Sequence, residues 1–178
     1  MPVYNIKKYP DPVLRKKTLR VEKIGPREKK ILSQMAETMY SAAGVGLAAP
    51  QVGISEQFIV VDVGEGLIKL INPEIVFREG ESKMEEGCLS IPGVILNIKR
   101  ADKILVRGWN ERGESVEIPA QGLFSHALQH EIDHLQGILI IDRVDQEEKQ
   151  KFMSVLKKLE KEFNSSLDLV KKSSISRR

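Results

Sequence analysis

Residues 130–134 read His-Glu-Ile-Asp-His, a HExxH run with definite chemistry if it lies on a helix. One helical turn separates the two imidazoles, so both face the same side and can converge on one cation, while Glu131 borders the open side of that cation and can exchange a proton there. The alternative, chance on a polar helix face, sits badly with the apolar positions that flank the run. A catalytic site of the zinc type needs a third protein ligand. His126 is eight residues before His134, about 12 Å along a helix, too far for both to share an ion with His130. It is expected to line the site or pack beside it.

The longer metalloprotease pattern HExxHxxGxxH would need histidine where this chain has Ile140, so that pattern fails. A downstream glutamate, Glu147 or Glu148, stays open as a ligand, although Asp145 with Glu148 also reads as a helix-starting capping box. Cys88 is the remaining candidate. It is the single cysteine, so it forms no internal disulfide, and thiolate binds Zn²⁺ or Fe²⁺ well. It sits in the small turn-forming stretch Glu85-Glu86-Gly87-Cys88-Leu89-Ser90. With Cys88, His130 and His134 as ligands, the chain has no further cysteine and His126 cannot reach, so the shell cannot be closed by cysteine and histidine alone and the fourth position is left for water. One divalent metal of this kind, with Glu131 as the proton-handling group, suits hydrolysis of an amide-type bond.

Those residues need elements to hold them. Helical periodicity runs from about Leu123 to Gln136, with Gly137 as its stop. An earlier amphipathic helix spans Pro26 to about Ala43, through Ile31, Leu32, Met35, Met39 and Tyr40. Asp11-Pro12 reads as a short helical start. Short strands are expected at Phe58–Val63, Ile68–Ile71, Ile91–Ile98, Ile104–Trp109 and Ser115–Ile118, separated by Gly, Asn-Pro and Pro-Gly turns, with a further brief strand at Ile138–Ile141. A meandering antiparallel sheet follows. Phe152, Val155, Leu156, Leu159 and Phe163 give a last amphipathic helix.

Gly44 to Gly53 is too rich in Gly, Ala and Pro for regular structure and too apolar for a solvated loop, so a buried loop is expected there. Its GxGxxA pattern mimics a dinucleotide fingerprint, but a helix precedes it and Pro50 follows, where the fingerprint needs strand then helix. No nucleotide cofactor is therefore expected, and Gln51 presents a side-chain amide beside the site.

At 178 residues, 41% hydrophobic and 30% charged, the chain has room for one folded unit with a proper core. We place it at residues 1–163. No apolar run approaches the ~20 residues that span a bilayer, and no targeting signal is expected, so the default address is cytoplasmic. The net charge of +3 sits in residues 164–178, which carry four basic side chains and one acid; this segment is expected to be a disordered tail.

Three segments, GVGLAAPQ at 44–51, EGCLS at 86–90 and QHEIDHLQG at 129–137, closely resemble in order and spacing the signature motifs of bacterial peptide deformylases. The resemblance runs from the PDPVLR segment to about Arg143. It implies an α+β fold in which mixed or antiparallel sheets wrap a central HExxH helix. It implies a metal held by Cys88, His130 and His134, Fe²⁺ in the cell and replaceable by Zn²⁺, Ni²⁺ or Co²⁺. Glu131 would be the general acid and base, with Gln51 and the Leu89 N–H on the formyl oxygen. The substrate implied is the N-formyl-methionyl end of a nascent polypeptide. Gly44, Val45, Gly46, Glu86, Gly87, Leu123, His126 and Ala127 fall to the substrate cleft, with Val45, Leu123 and Ala127 walling the methionine.

Two positions depart from the family pattern. His126 stands where relatives often carry an aliphatic residue, and Ile95 where some carry an arginine. Arg100 and Asp133 are candidates for a pair orienting the ligands, or for an ordinary surface ion pair. Two rivals remain: a metallopeptidase with a downstream glutamate ligand, and a non-enzymatic metal-stabilised module. The Lys- and Arg-bearing segment 149–178 suits salt-dependent attraction to ribosomal RNA, or is simply solvated.

Overall fold

A computed structural model describes residues 2–177. Five strands, β1 (Gly46–Ala48), β2 (Phe58–Val61), β3 (Ile68–Glu79), β6 (Lys103–Trp109) and β7 (Ser115–Gln121), form one sheet in the order β1-β2-β3-β6-β7, antiparallel throughout. Strands β4 (Ser82–Glu86) and β5 (Leu96–Arg100) pair separately as an antiparallel ribbon. The helices are α1 (Pro26–Ser41), α2 (Leu123–Leu135), a short α3 (Gln146–Gln150) and α4 (Met153–Ile175). This is the expected α+β architecture, with the HExxH helix central and an amphipathic helix at the C-terminal end. Among the described residues no helix is long and apolar enough to cross a membrane.

The central strands are apolar on both faces because both faces are covered. In β2, Phe58 and Val60 pack with Leu32, Met35 and Met39 of α1, while Ile59 and Val61 pack with Ala127, Leu128 and Leu135 of α2. The alternation of period two thus sorts one strand between two helices. Each fully buried side chain of this kind contributes roughly 1.5–3 kcal/mol. A third cluster joins Ile91, Leu96 and Ile98 to Ile140, Ile141, Leu156 and Leu159. It ties the β4–β5 ribbon to the chain that follows α2.

Several expectations are corrected. Asn72-Pro73 is not a turn between strands: β3 runs through it with a register shift. Asn72 adopts a φ of 53°, and its side chain accepts from Val21 N and donates to Val21 O, each at 2.8 Å. Opposite the shift, a Cβ on Gly108 would lie 3.1 Å from the Ile71 carbonyl oxygen, so the missing side chain lets β6 pass. Residues 91–95 turn before β5 begins, with Gly93 at φ 84°. Ile140–Asp142 is a 3-10 turn rather than a strand. The buried-loop expectation for 44–53 gives way to β1 and a 3-10 turn at Ala49–Val52, although the segment from Gly46 to Val52 is indeed buried. Asp145 caps α3 by accepting from Glu148 N at 2.8 Å; α4 starts afresh at Met153. The segment after Phe163, expected to be disordered, continues α4 to Ile175 with every side chain exposed.

Candidate metal centre

The register of α2 against the β5–β6 turn is set by two polar side chains that sequence reasoning passed over. Ser125 Oγ donates to Ala101 O at 2.9 Å. Gln129 Nε2 donates to the same carbonyl at 2.8 Å, and its Oε1 accepts from Ala101 N at 3.3 Å. Their spacing of four on an otherwise apolar helix face was the available signal. Gly122 (φ 61°) precedes the helix and Gly137 (φ 73°) follows it.

The helix presents His130 and His134 to Cys88, which enters from the end of the β4–β5 ribbon. Cys88 Sγ lies 3.4 Å from His134 Nε2, and the two Nε2 atoms lie 3.2 Å apart. All three ligand atoms fall within 4.8 Å of one another. Tetrahedral bonds of about 2.0–2.3 Å would space such atoms roughly 3.3–3.6 Å apart, so the donor set fits a divalent cation. Glu131 Oε2 is buried without a hydrogen-bond partner, as is His134 Nδ1 on the side of its ring away from the cluster. Glu147 and Glu148 stand outside the cluster; Glu148 instead accepts from Lys151 Nζ at 2.8 Å. That removes the downstream-glutamate alternative.

Glu131 is buried, and this burial pushes its carboxyl up to about 7 against the lowering influence of His130. Such a group can both take and return a proton near neutrality. Gly46 of β1 lies against it: a Cβ there would come within 2.9 Å of Glu131 Cγ and Cδ. Gln51 is oriented by its own turn. Its Oε1 accepts from Ala48 N at 2.9 Å, which turns Nε2 toward Ser90 Oγ at 3.1 Å and Cys88 Sγ at 3.6 Å. Ser90, fully buried, is a supporting residue the motifs did not point to.

Over these groups opens a cavity of about 350 Å³. Gly44, Val45, Gly46 and Gln51 form one wall, and Glu86, Gly87, Cys88 and Leu89 another. The third comes from α2, with Leu123, His126, Ala127, His130 and Glu131. All the residues expected at a substrate cleft therefore line it; Met84 of the unforeseen β4 joins them. Val45 and Leu123 of this lining are half exposed; Ile95, outside the lining and also half exposed, packs over Gly87, where an added Cβ would sit 3.0 Å from Ile95 Cδ1.

Glu86 lines the cleft, but its carboxylate points at the ligands rather than into open space. Oε1 accepts from His130 Nδ1 at 2.9 Å and Arg100 Nη2 at 3.0 Å; Oε2 accepts from Arg100 Nε at 2.7 Å. Burial works to raise this carboxyl, and the hydrogen bonds from His130 and Arg100 overcome it, holding it at about 2. With Nδ1 committed as donor, His130 turns its Nε2 lone pair toward Cys88 and His134. Arg100 also donates from Nη1 to Asp133 Oδ2 at 2.8 Å, with the two side chains only 4% and 13% exposed. The pair is thus an interior one, not a surface ion pair, and Arg143 holds Asp133 from outside at 2.6 Å.

Comparison with known proteins agrees with this arrangement. Residues 3–150 match the family model for polypeptide deformylase. The chain is 53% identical to the peptide deformylase of Carboxydothermus hydrogenoformans over 82% of this chain and 95% of that one. It is 56% identical to that of Halothermothrix orenii over 81% and 95%. The crystal structure of the Thermotoga maritima peptide deformylase superposes with a TM-score of 0.80 at 48% identity, covering 82% of this chain and 99% of that one. With its family model spanning most of the chain and relatives of this identity, the chain belongs to the polypeptide deformylase family.

Proposed function

We infer how this metal-dependent hydrolase removes the formyl group from the formyl-methionyl end of nascent polypeptides. The observation that carries the reading is the meeting of Cys88, His130 and His134 beside a buried, partner-free carboxylate oxygen of Glu131. Cys88, His130 and His134 would hold a divalent cation, which when bound would supply Lewis acidity, making a nearby water a nucleophile near neutral pH. Glu131 takes the proton of the attacking water and returns it to the departing amine. One water is consumed, the formyl C–N bond breaks, and formate leaves. Gln51 Nε2 and the Leu89 N–H donate to the formyl oxygen as negative charge grows on it. Val45, Leu123 and Ala127 take the methionine side chain, while Gly44, Gly46 and Gly87 let the peptide backbone approach. Arg100, itself held by Asp133, donates to Glu86 and through it steadies His130.

Mixed thiolate and imidazole ligation suits both Fe²⁺ and Zn²⁺; we propose Fe²⁺ as the ion in the cell, which is taken to be cytoplasmic because the substrate is made there. The test is formate release from a formyl-Met peptide by protein prepared anaerobically with Fe²⁺. Turnover that Glu131→Gln abolishes while metal stays bound supports the reading; turnover unaffected by Glu131→Gln sinks it.

We also propose that residues 1–163 are the catalytic unit and that the exposed end of α4 meets the ribosome. Lys171 and Lys172 lie on this exposed stretch, where cationic side chains give salt-dependent attraction to RNA. Truncation after Phe163 should weaken co-pelleting with ribosomes at low salt, and unchanged pelleting would remove the idea.

A further inference from the structure

His126 lies in a wall of the cleft, and both of its ring nitrogens are engaged. The ring is 1% exposed. Nδ1 lies 3.1 Å from Glu86 Oε2, and Nε2 lies 2.9 Å from Ser82 Oγ. Glu86 is an ionised carboxylate clamped by Arg100, so it can only accept; His126 Nδ1 must therefore carry the proton and donate it. The Glu86 carboxylate then receives four N–H donors, two on each oxygen: Arg100 Nη2 and His130 Nδ1 on Oε1, Arg100 Nε and His126 Nδ1 on Oε2.

Glu86 comes from β4 and His126 from the first turns of α2. The contact therefore joins the ribbon that delivers Cys88 to the helix that delivers His130 and His134. Ser82, at the other end of the same strand, holds the far side of the ring. We propose that His126 is a positioning residue for the metal centre: its Nδ1–H locks the Glu86 carboxylate that orients His130, so one wall of the substrate cleft is also a brace for a metal ligand. The arrangement gives His126 a role that an aliphatic residue of equal volume cannot fill, because only the imidazole donates to Glu86.

The proposal rests on the assignment of Cys88, His130 and His134 as ligands, and its test separates the two. Protein is loaded with Co²⁺, whose thiolate absorption reports the bound state, and the rate of metal loss to a chelator is followed without substrate. If wild-type protein shows no thiolate band, the ligand assignment itself is wrong. Given a band, His126→Leu should speed metal loss severalfold, up to about tenfold, the low end of the cost of removing a ligand's own partner, because His126 acts on His130 through Glu86. Two amides discriminate hydrogen bonding from space filling, and they carry the test alone if the leucine variant does not fold. In His126→Asn the side-chain N–H can occupy the place of Nδ1, and near wild-type retention is expected. In His126→Gln the amide reaches the place of Nε2 instead, and retention should fall as in the leucine variant. Equal retention in wild type, Asn and Gln, or a ranking that places Gln above Asn, overturns the proposal.

Discussion

Two of the polar groups at this centre, Gln51 and His130, are each held by a neighbour that settles their orientation. Gln51 cannot flip its amide while Ala48 N donates to Oε1, and His130 cannot change its donor nitrogen while Glu86 accepts from Nδ1. The roles of Cys88 and Glu131 separate at this scale. Glu131→Gln should retain metal by elemental analysis and lose formate release by about 10²–10⁴, the range for a lost acid–base group. Cys88→Ala should lose the metal itself, because two imidazoles alone leave the cation under-ligated. Gly46→Ala should keep the metal but lower turnover, since its methyl would overlap the Glu131 side chain; full activity would show that β1 can retreat. The HExxH run, Cys88 and Gln51 were legible in the sequence because their chemistry is in the side-chain types and spacing. Glu86 was legible only as a residue at the cleft. A buried glutamate looks like a solvated one until its donors, Arg100 of β5 and His130 of α2, are brought to it by the fold.

Elements with clear periodicity were equally legible. The bounds of α1 and α2 and the cores of β2, β6 and β7 follow from apolar spacing that a helix or strand must bury. Strand β4 was hidden because Ser82-Lys83-Met84-Glu85-Glu86 is polar at four of five positions. Its inward residues are Ser82, Met84 and Glu86, and two of these satisfy histidines rather than fill a core. The continuation of α4 past Phe163 was hidden for a different reason: it buries nothing, so no apolar stripe had to face a partner. Removing residues after Phe163 should accordingly leave the urea midpoint of the remainder nearly unchanged. The end of α2 is far less tolerant. Gly137 sits at φ 73°, and a Cβ there would lie 2.8 Å from the Arg15 carbonyl carbon. Gly137→Ala should therefore cost about 1–3 kcal/mol, in the range for backbone forced into a poorly populated region, read as a lower urea midpoint. An unshifted midpoint would mean that the Arg15 segment moves aside freely.

For the whole molecule, the ion is a cross-link as well as a reagent. Cys88 belongs with the ribbon and the third core, whereas the histidines belong to α2, which packs on the main sheet. Binding to the folded state alone stabilises it by about 2.7 kcal/mol at a hundredfold excess over Kd. Stripping the metal should thus lower Tm, re-addition should restore it, and Cys88→Ala should melt at one temperature with or without added metal. A Tm indifferent to chelator in the wild type would show that the two units hold together without the ion.

Cys88 and His134 are 46 residues apart along the chain, and the second histidine arrives on a helix packed against the main sheet. A growing chain cannot grip the cation with all three ligands until His134, just past three quarters of the way along these 178 residues, has been made and folded back. Loading is therefore a finishing step of biogenesis, exposed to whichever divalent ion the cell then has free, and cells short of one metal should accumulate complete but mismetallated copies rather than unfinished ones.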